Sequence, residues 1–167
     1  MDSTIQRAGR GLALLAVLAS TLALTAAEAN AQAASASQSK RLIGGWILQV
    51  TVVDCATRVP TGHTFWSLVT FAQGGTLTNV TTGSNPVLRS TGLGTWEKAG
   101  DHAFTSVTMA FLFSAAGAWT GTQRIANTLE IGRNPDELTG TTDVNFFDTS
   151  GTLTSTACAD VTGDRLE

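Results

Sequence analysis

The side chains able to do chemistry in this sequence are few, and most are aromatic or amide. Four tryptophans and seven phenylalanines occur in a chain of 167 residues that has no tyrosine. An apolar, aromatic cavity with a few placed polar groups is the usual form of a small-molecule site. Trp46, Trp96 and Trp119 are the expected lining, with Phe111 among them. Gln123 and Asn127 are the informative polar candidates. In an extended strand they alternate onto one face with Trp119 and Ile125. A buried amide must be hydrogen-bonded, by a neighbour, a water or a ligand. Ordinary core packing of the aromatics, with the amides on backbone groups, is the competing account.

Acid–base and metal chemistry have less to draw on. His63 and His102 are the only imidazoles, each at the start of an apolar run and beside a turn. His102 directly follows Asp101, and a histidine with an acid nearby could exchange protons with a substrate. Strand starts beside turns are more often solvated. Glu97 follows Trp96, so only one of the two can face inward, and the tryptophan fits better. Asp143 shares the polar side of its run with Thr141 and Asn145. A metal site needs three or four convergent ligands. There is no CxxC or CxxH spacing, so neither metal nor cofactor is expected. No Gly-x-Ser-x-Gly elbow occurs, and Gly74-Gly75 reads as a turn, not as a phosphate cradle. Catalytic residues are therefore left unassigned.

The chain ahead of residue 42 is read as targeting, not fold. Arg7 and Arg10 precede an apolar run, Leu12 to Ala26, and a small-x-small site follows at Ala29-Asn30-Ala31, with Ala27-Glu28-Ala29 as the alternative. That is the pattern of a secretory signal peptide. The run falls short of the ~20 apolar residues of a spanning helix. Residues 1–31 are expected to be the signal peptide, 32–41 a flexible leader, and 42–167 the folded domain. The mature chain has 136 residues (167 minus 31), enough for one domain. The expected location is secreted or periplasmic, with no membrane span after cleavage. A net charge of −3 with no basic stripe makes nucleic acid a poor partner. Cys55 and Cys158 are an even count, which in an exported protein favours a disulfide. Two buried free thiols are the alternative.

These residues must be positioned by strands. After residue 40 no helical period of useful length occurs. Short runs rich in Thr, Val, Gly and Phe are separated by Gly, Asn, Asp and Pro. Eight runs are expected, at 44–54, 63–71, 75–80, 91–98, 102–113, 118–131, 137–147 and 152–163. Residues 58–62 should form a turn, and residues 81–90 a longer loop. Tight turns between consecutive strands give an antiparallel meander. Eight strands can close into an up-and-down barrel that holds one small ligand or is filled by its own side chains. The fold class is therefore all-β. Closure would put the last strand beside the first and bring Cys158 near Cys55. The runs 63–71 and 102–113 are apolar on both faces, so one face of each would be left in water. Such patches usually mark an interface, and a homo-oligomer through the outer barrel face is expected, with cover by the 81–90 loop or the N-terminal leader as the alternative.

Gly44-Gly45-Trp46, at the head of the first run, resembles the lipocalin signature, a Gly-x-Trp that opens an eight-stranded barrel. In that family a basic residue after the last strand packs across the tryptophan. The resemblance implies that Arg165, in Thr162-Gly163-Asp164-Arg165, packs on Trp46, with Gly44 and Gly45 bending the chain across a closed barrel end. The family's Thr-Asp-x-x-Tyr-type turn is absent, and there is no room for its C-terminal helix. The short, helix-free build is also similar to the wider calycin group, including allene-oxide-cyclase-like barrels. The resemblance implies an exported barrel that binds a small apolar molecule in its interior. The alternatives are a barrel enzyme of cyclase or isomerase type acting on an apolar substrate, and a structural barrel with a filled core.

Overall fold

The computed structural model describes residues 41–167. The expected signal peptide, and all of the expected leader except Arg41, lie outside the described residues. Eight strands follow one another: β1 (Gly44–Val53), β2 (Pro60–Phe71), β3 (Thr76–Thr81), β4 (Gly92–Lys98), β5 (Ala103–Phe113), β6 (Trp119–Ile131), β7 (Glu137–Phe147) and β8 (Leu153–Arg165). Each is antiparallel to the next, and β8 pairs with β1, so the sheet closes into an up-and-down barrel. The seam runs from Trp46 opposite Arg165 to Val53 opposite Cys158. Alternating Thr, Val and Phe make these strands, because β-branched and aromatic side chains suit a pleated, half-buried surface.

Two boundaries differ from the sequence reading by more than one residue. Residues 60–62, expected to turn, instead begin β2, with Pro60 opposite Val53. Proline is tolerated as the first residue of a strand, where its missing N–H leaves the ladder intact. The turn lies earlier and is organised by Asp54, whose carboxylate accepts from the Ala56 and Thr57 N–H groups at 3.0 and 2.8 Å. At the other end β8 runs on to Arg165, and its last N–H donates to the Asp136 carbonyl.

One end of the barrel is solid. Trp46, Phe71 and Phe104 are fully buried there with Leu42, Ile131 and Leu138. Trp96 stands edge-on between Phe71 and Phe104, with centroids 6.2 and 6.0 Å away. The Trp46 indole N–H donates to the Leu42 carbonyl at 2.8 Å. The Arg165 guanidinium lies 4.4 Å from the Trp46 ring centroid and donates to the carbonyls of Ile43, Arg41 and Pro135 and to the Asp136 carboxylate. Gly44 makes that approach possible. It has φ +132°, and a Cβ there would lie 2.9 Å from the Arg165 Nη1 atom.

The opposite end carries the disulfide. Cys55, just past β1, joins Cys158 on β8 with a Cα–Cα distance of 5.2 Å, across 103 residues of sequence. The staple therefore crosses the seam of closure. A disulfide is typical of extracellular or periplasmic proteins.

A bulge in β6 changes which side chains share a face. Leu112 pairs with Gly121 but Phe113 pairs with Trp119, so Thr120 is an extra residue on β6. Gly121 takes φ +151°, and a Cβ there would meet the Phe147 carbonyl oxygen at 2.0 Å. Trp119 is rotated to the outer surface as a result, while Gly121 and Gln123 keep the inward alternation. The expected common face of Trp119 and Gln123 does not hold.

Candidate functional site

Between the solid end and the disulfide end lies a cavity of about 240 Å³. Its lining is divided by chemistry. β1, β7 and β8 contribute mainly aliphatic side chains and small ones, among them Leu48, Val50, Val144, Ala157 and Ala159. β2 adds Phe65 and Val69 near the same wall. The facing wall is polar. Ser67, Asn79, Ser106, Thr108, Gln123 and Asn127 all reach the cavity. No Asp or Glu is among the lining residues, and His63 on β2 is the one imidazole there.

Two hydrogen-bonded networks hold the polar wall. In the first, Asn127 donates to the Ser106 hydroxyl at 2.9 Å and accepts from Thr142 at 2.7 Å. This ties β5, β6 and β7 together inside the barrel. The second is centred on Arg89, in the stretch between β3 and β4. Arg89 makes a bridge with Leu112, and the flanking backbone bonds, Ser90 N–H to Phe111 and Phe113 N–H to Leu88, dock this stretch on the upper part of β5. β4 is short, so residues 88–90 continue the wall in its place. The Arg89 side chain turns inward and is 6% exposed. Its Nε donates to the Gln123 side-chain oxygen at 2.6 Å, and one terminal nitrogen donates to the Asn79 oxygen at 2.8 Å. The other terminal nitrogen donates to the Ser90 carbonyl. Gly92 supplies the room: a Cβ there would meet Arg89 Nη2 at 3.2 Å and the Thr108 methyl at 2.5 Å.

A guanidinium has only donors, so it fixes the orientation of both amides. Their oxygens face Arg89 and their nitrogens face away. The Asn79 nitrogen goes to the Ser67 hydroxyl, which passes its own proton to the Val80 carbonyl. The Gln123 nitrogen makes no hydrogen bond among the described residues, on a side chain that lines the cavity. Burial lowers the pKa of Arg89 from its ordinary value, yet an arginine stays protonated at any pH the fold meets. None of the ion pairs among the described residues includes it.

The structure divides the candidates from the sequence. Gln123 and Asn127 are on the cavity wall. Trp96 is inside the barrel but at the solid end, with its indole N–H on the Ala72 carbonyl at 3.0 Å, and it does not line the cavity. Trp119 and Phe111 are outside, 48% and 56% exposed, and pack edge to face at 6.4 Å. The bulge accounts for Trp119. Phe111 is outside because the inward set of β5 is Phe104, Ser106, Thr108 and Ala110. Trp46, Gly44 and Arg165 form the closed end described above. Glu97 and Asp143 line no part of the cavity. His102 takes a contact from Arg41 through its Nδ1 at 2.9 Å, away from the cavity.

Sequence reasoning passed over Arg89, Asn79 and the inward serines and threonines. The available signal was Gly92. A glycine at an inward position near the start of a short strand leaves space that another side chain must fill, and Arg89 is the long residue three places earlier. With the geometry in view, the class is a closed eight-stranded barrel, compatible with a calycin-like build, with one solid and one hollow half. No protein-family model matches the chain, and no curated protein matches it.

Proposed function

We propose that this protein is an exported β-barrel that binds a small, largely apolar molecule in the hollow half of its interior. The cavity carries the reading: about 240 Å³, with an aliphatic wall facing a wall of hydroxyls and amides. At ~30 Å³ per water, that volume corresponds to about eight waters. A ligand on the order of eight to ten non-hydrogen atoms fits it. Export rests on the signal-like segment and on the disulfide. No tryptophan lines the cavity, so binding is best followed with an extrinsic probe. Titration with the small neutral fluorophore 1-aminonaphthalene, close to that size, should give a saturable rise in fluorescence. Ala157→Phe, which puts a ring into the cavity, should weaken the dye at least tenfold and leave the fold intact. No saturable binding by the wild type, or unchanged binding by the filled variant, would overturn the reading.

A second reading, a cyclase or isomerase that folds an apolar substrate, is favoured by one observation. His63 brings a titratable ring to the cavity lining, 5.7 Å from Phe65. It predicts turnover that vanishes in His63→Ala.

The outer face supports a homo-oligomer. Leu68 lies beside Val80 and Leu93 beside Met109 on adjacent strands, and all four are exposed along with Trp66 and Phe111. Sedimentation at micromolar concentration should show a species of at least two chains that Leu93→Asp with Met109→Asp returns to one. A wild-type monomer would refute it.

A further inference from the structure

The Arg89 network has a feature that packing alone does not require. A buried guanidinium sits inside the barrel without a carboxylate, although burying an unpaired charge is costly. Its hydrogen bonds go to two amides and a carbonyl, which satisfy donors but leave the charge uncompensated. Every group it touches is oriented with oxygen inward to the guanidinium. What the cavity receives from Gln123 is therefore an amide nitrogen, a donor, polarised by the charge on its carbonyl oxygen. Ser106 and Thr108 add hydroxyls to the same wall. That wall offers donors and positive potential, and the lining holds no acid to oppose them.

We propose that the cavity selects a monocarboxylate with a short apolar body. Its carboxylate would accept from the Gln123 Nε2 group and the neighbouring hydroxyls, and its tail would lie on Leu48, Val50, Val144 and Ala159. The proposal rests on the reading of the barrel as a small-molecule binder and adds the head group. Arg89 is not itself on the cavity lining. It is a positioning residue: it holds Gln123 with the nitrogen outward and supplies the charge behind it. The two charges would face each other across the Gln123 amide, and their attraction is stronger the less water lies between them. A neutral head of the same size would gain only the hydrogen bonds.

The test compares octanoate with 1-octanol, which share a tail and differ in the head. Each displaces 1-aminonaphthalene from the wild type, Arg89→Met and Gln123→Glu at pH 7. Gln123→Glu is the informative variant. It is nearly isosteric, keeps an oxygen on Arg89 Nε, neutralises the guanidinium from within and removes the donor from the cavity. The wild type should bind octanoate at least tenfold more tightly than 1-octanol. Gln123→Glu should lose at least tenfold in octanoate affinity, with 1-octanol changed less than twofold. Arg89→Met should show the same loss; if it does not fold, Gln123→Glu decides alone. Equal affinity of the wild type for the two ligands, or an octanoate preference that survives Gln123→Glu, would overturn the carboxylate proposal and leave the cavity reading standing. Failure of dye, octanoate and octanol alike to bind the wild type would overturn the cavity reading and this proposal with it.

Discussion

The two ends of the barrel are made from the same eight strands but from different inward side chains. Along β5 the inward series runs Phe104, Ser106, Thr108, Ala110; along β8, read toward the opposite end, it runs Val161, Ala159, Ala157. The large residues collect at one end, where Trp46, Phe71, Trp96 and Leu138 belong to one buried apolar cluster. Small and hydroxylated residues collect at the other and leave space. Backbone closure satisfies the sheet at both ends alike. What differs is how the interior is stabilised: by apolar burial at the solid end, and by buried hydrogen-bond networks and a disulfide at the hollow end. A barrel divided in this way can carry an incompletely filled half, because the other half supplies the packing.

The largest expected effect follows from removing the plug. Trp46→Ala deletes a fully buried indole, unpairs the Leu42 carbonyl and removes the ring beneath Arg165. Large-to-small changes of this kind cost about 3–5 kcal/mol, read as a lowered urea midpoint. A loss under about 1 kcal/mol would mean that stability is not concentrated at the solid end. The next effect belongs to the hollow end. Replacing Cys55 and Cys158 together by alanine releases a staple that closes 103 residues, and should cost about 2–4 kcal/mol. Hydrogen exchange should quicken first in the 54–60 turn and at the start of β8. If it quickened instead around Trp46, the two ends would not be separable units.

The solid end was the more legible of the two in the sequence, for a physical reason. The packing of Arg165 on Trp46 was expected from the lipocalin resemblance, and it holds because barrel closure sets the two residues opposite each other. The eight strands were legible likewise, because Gly, Asn and Asp punctuate the turns. The hollow end depends on departures from alternation. The extra Thr120 rotates Trp119 outward, and nothing in a period-two reading announces a bulge. Arg89 belongs to a stretch that reads as loop. It becomes barrel wall only through bonds to Phe111 and Phe113, more than twenty residues away. Gln123 and Asn127 were found because they lie past the bulge, where alternation is regular again.

The smallest effect sharpens the comparison by pH. Two turns at the hollow end are organised by carboxylates. Asp54 is held below its ordinary value of 3.8 chiefly by the Thr57 N–H, then by the Thr57 hydroxyl and the Ala56 N–H. Asp148, between β7 and β8, is held below 3.8 chiefly by the Ser150 hydroxyl, with the Thr152 N–H next. A depressed folded pKa means that the unfolded chain binds the proton more tightly. The stabilisation is therefore present above pH 3.8 and is lost as the pH falls through the folded value. Asp54 is exposed and Asp148 half-buried in a surface turn, so the effect is local order, not a large change in global stability. Amide resonances of Thr57 and Thr152 should shift with midpoints below 3.8 in a titration from pH 6 to 2. The Trp46 indole resonance, at the far end, should hold still over the same range. In Asp148→Asn the Thr152 shift should disappear while that of Thr57 remains. Midpoints at or above 3.8 would show that these bonds do not favour the charged carboxylates. An indole that titrates with them would show that the hollow end communicates acid to the plug, against the division drawn between the two halves.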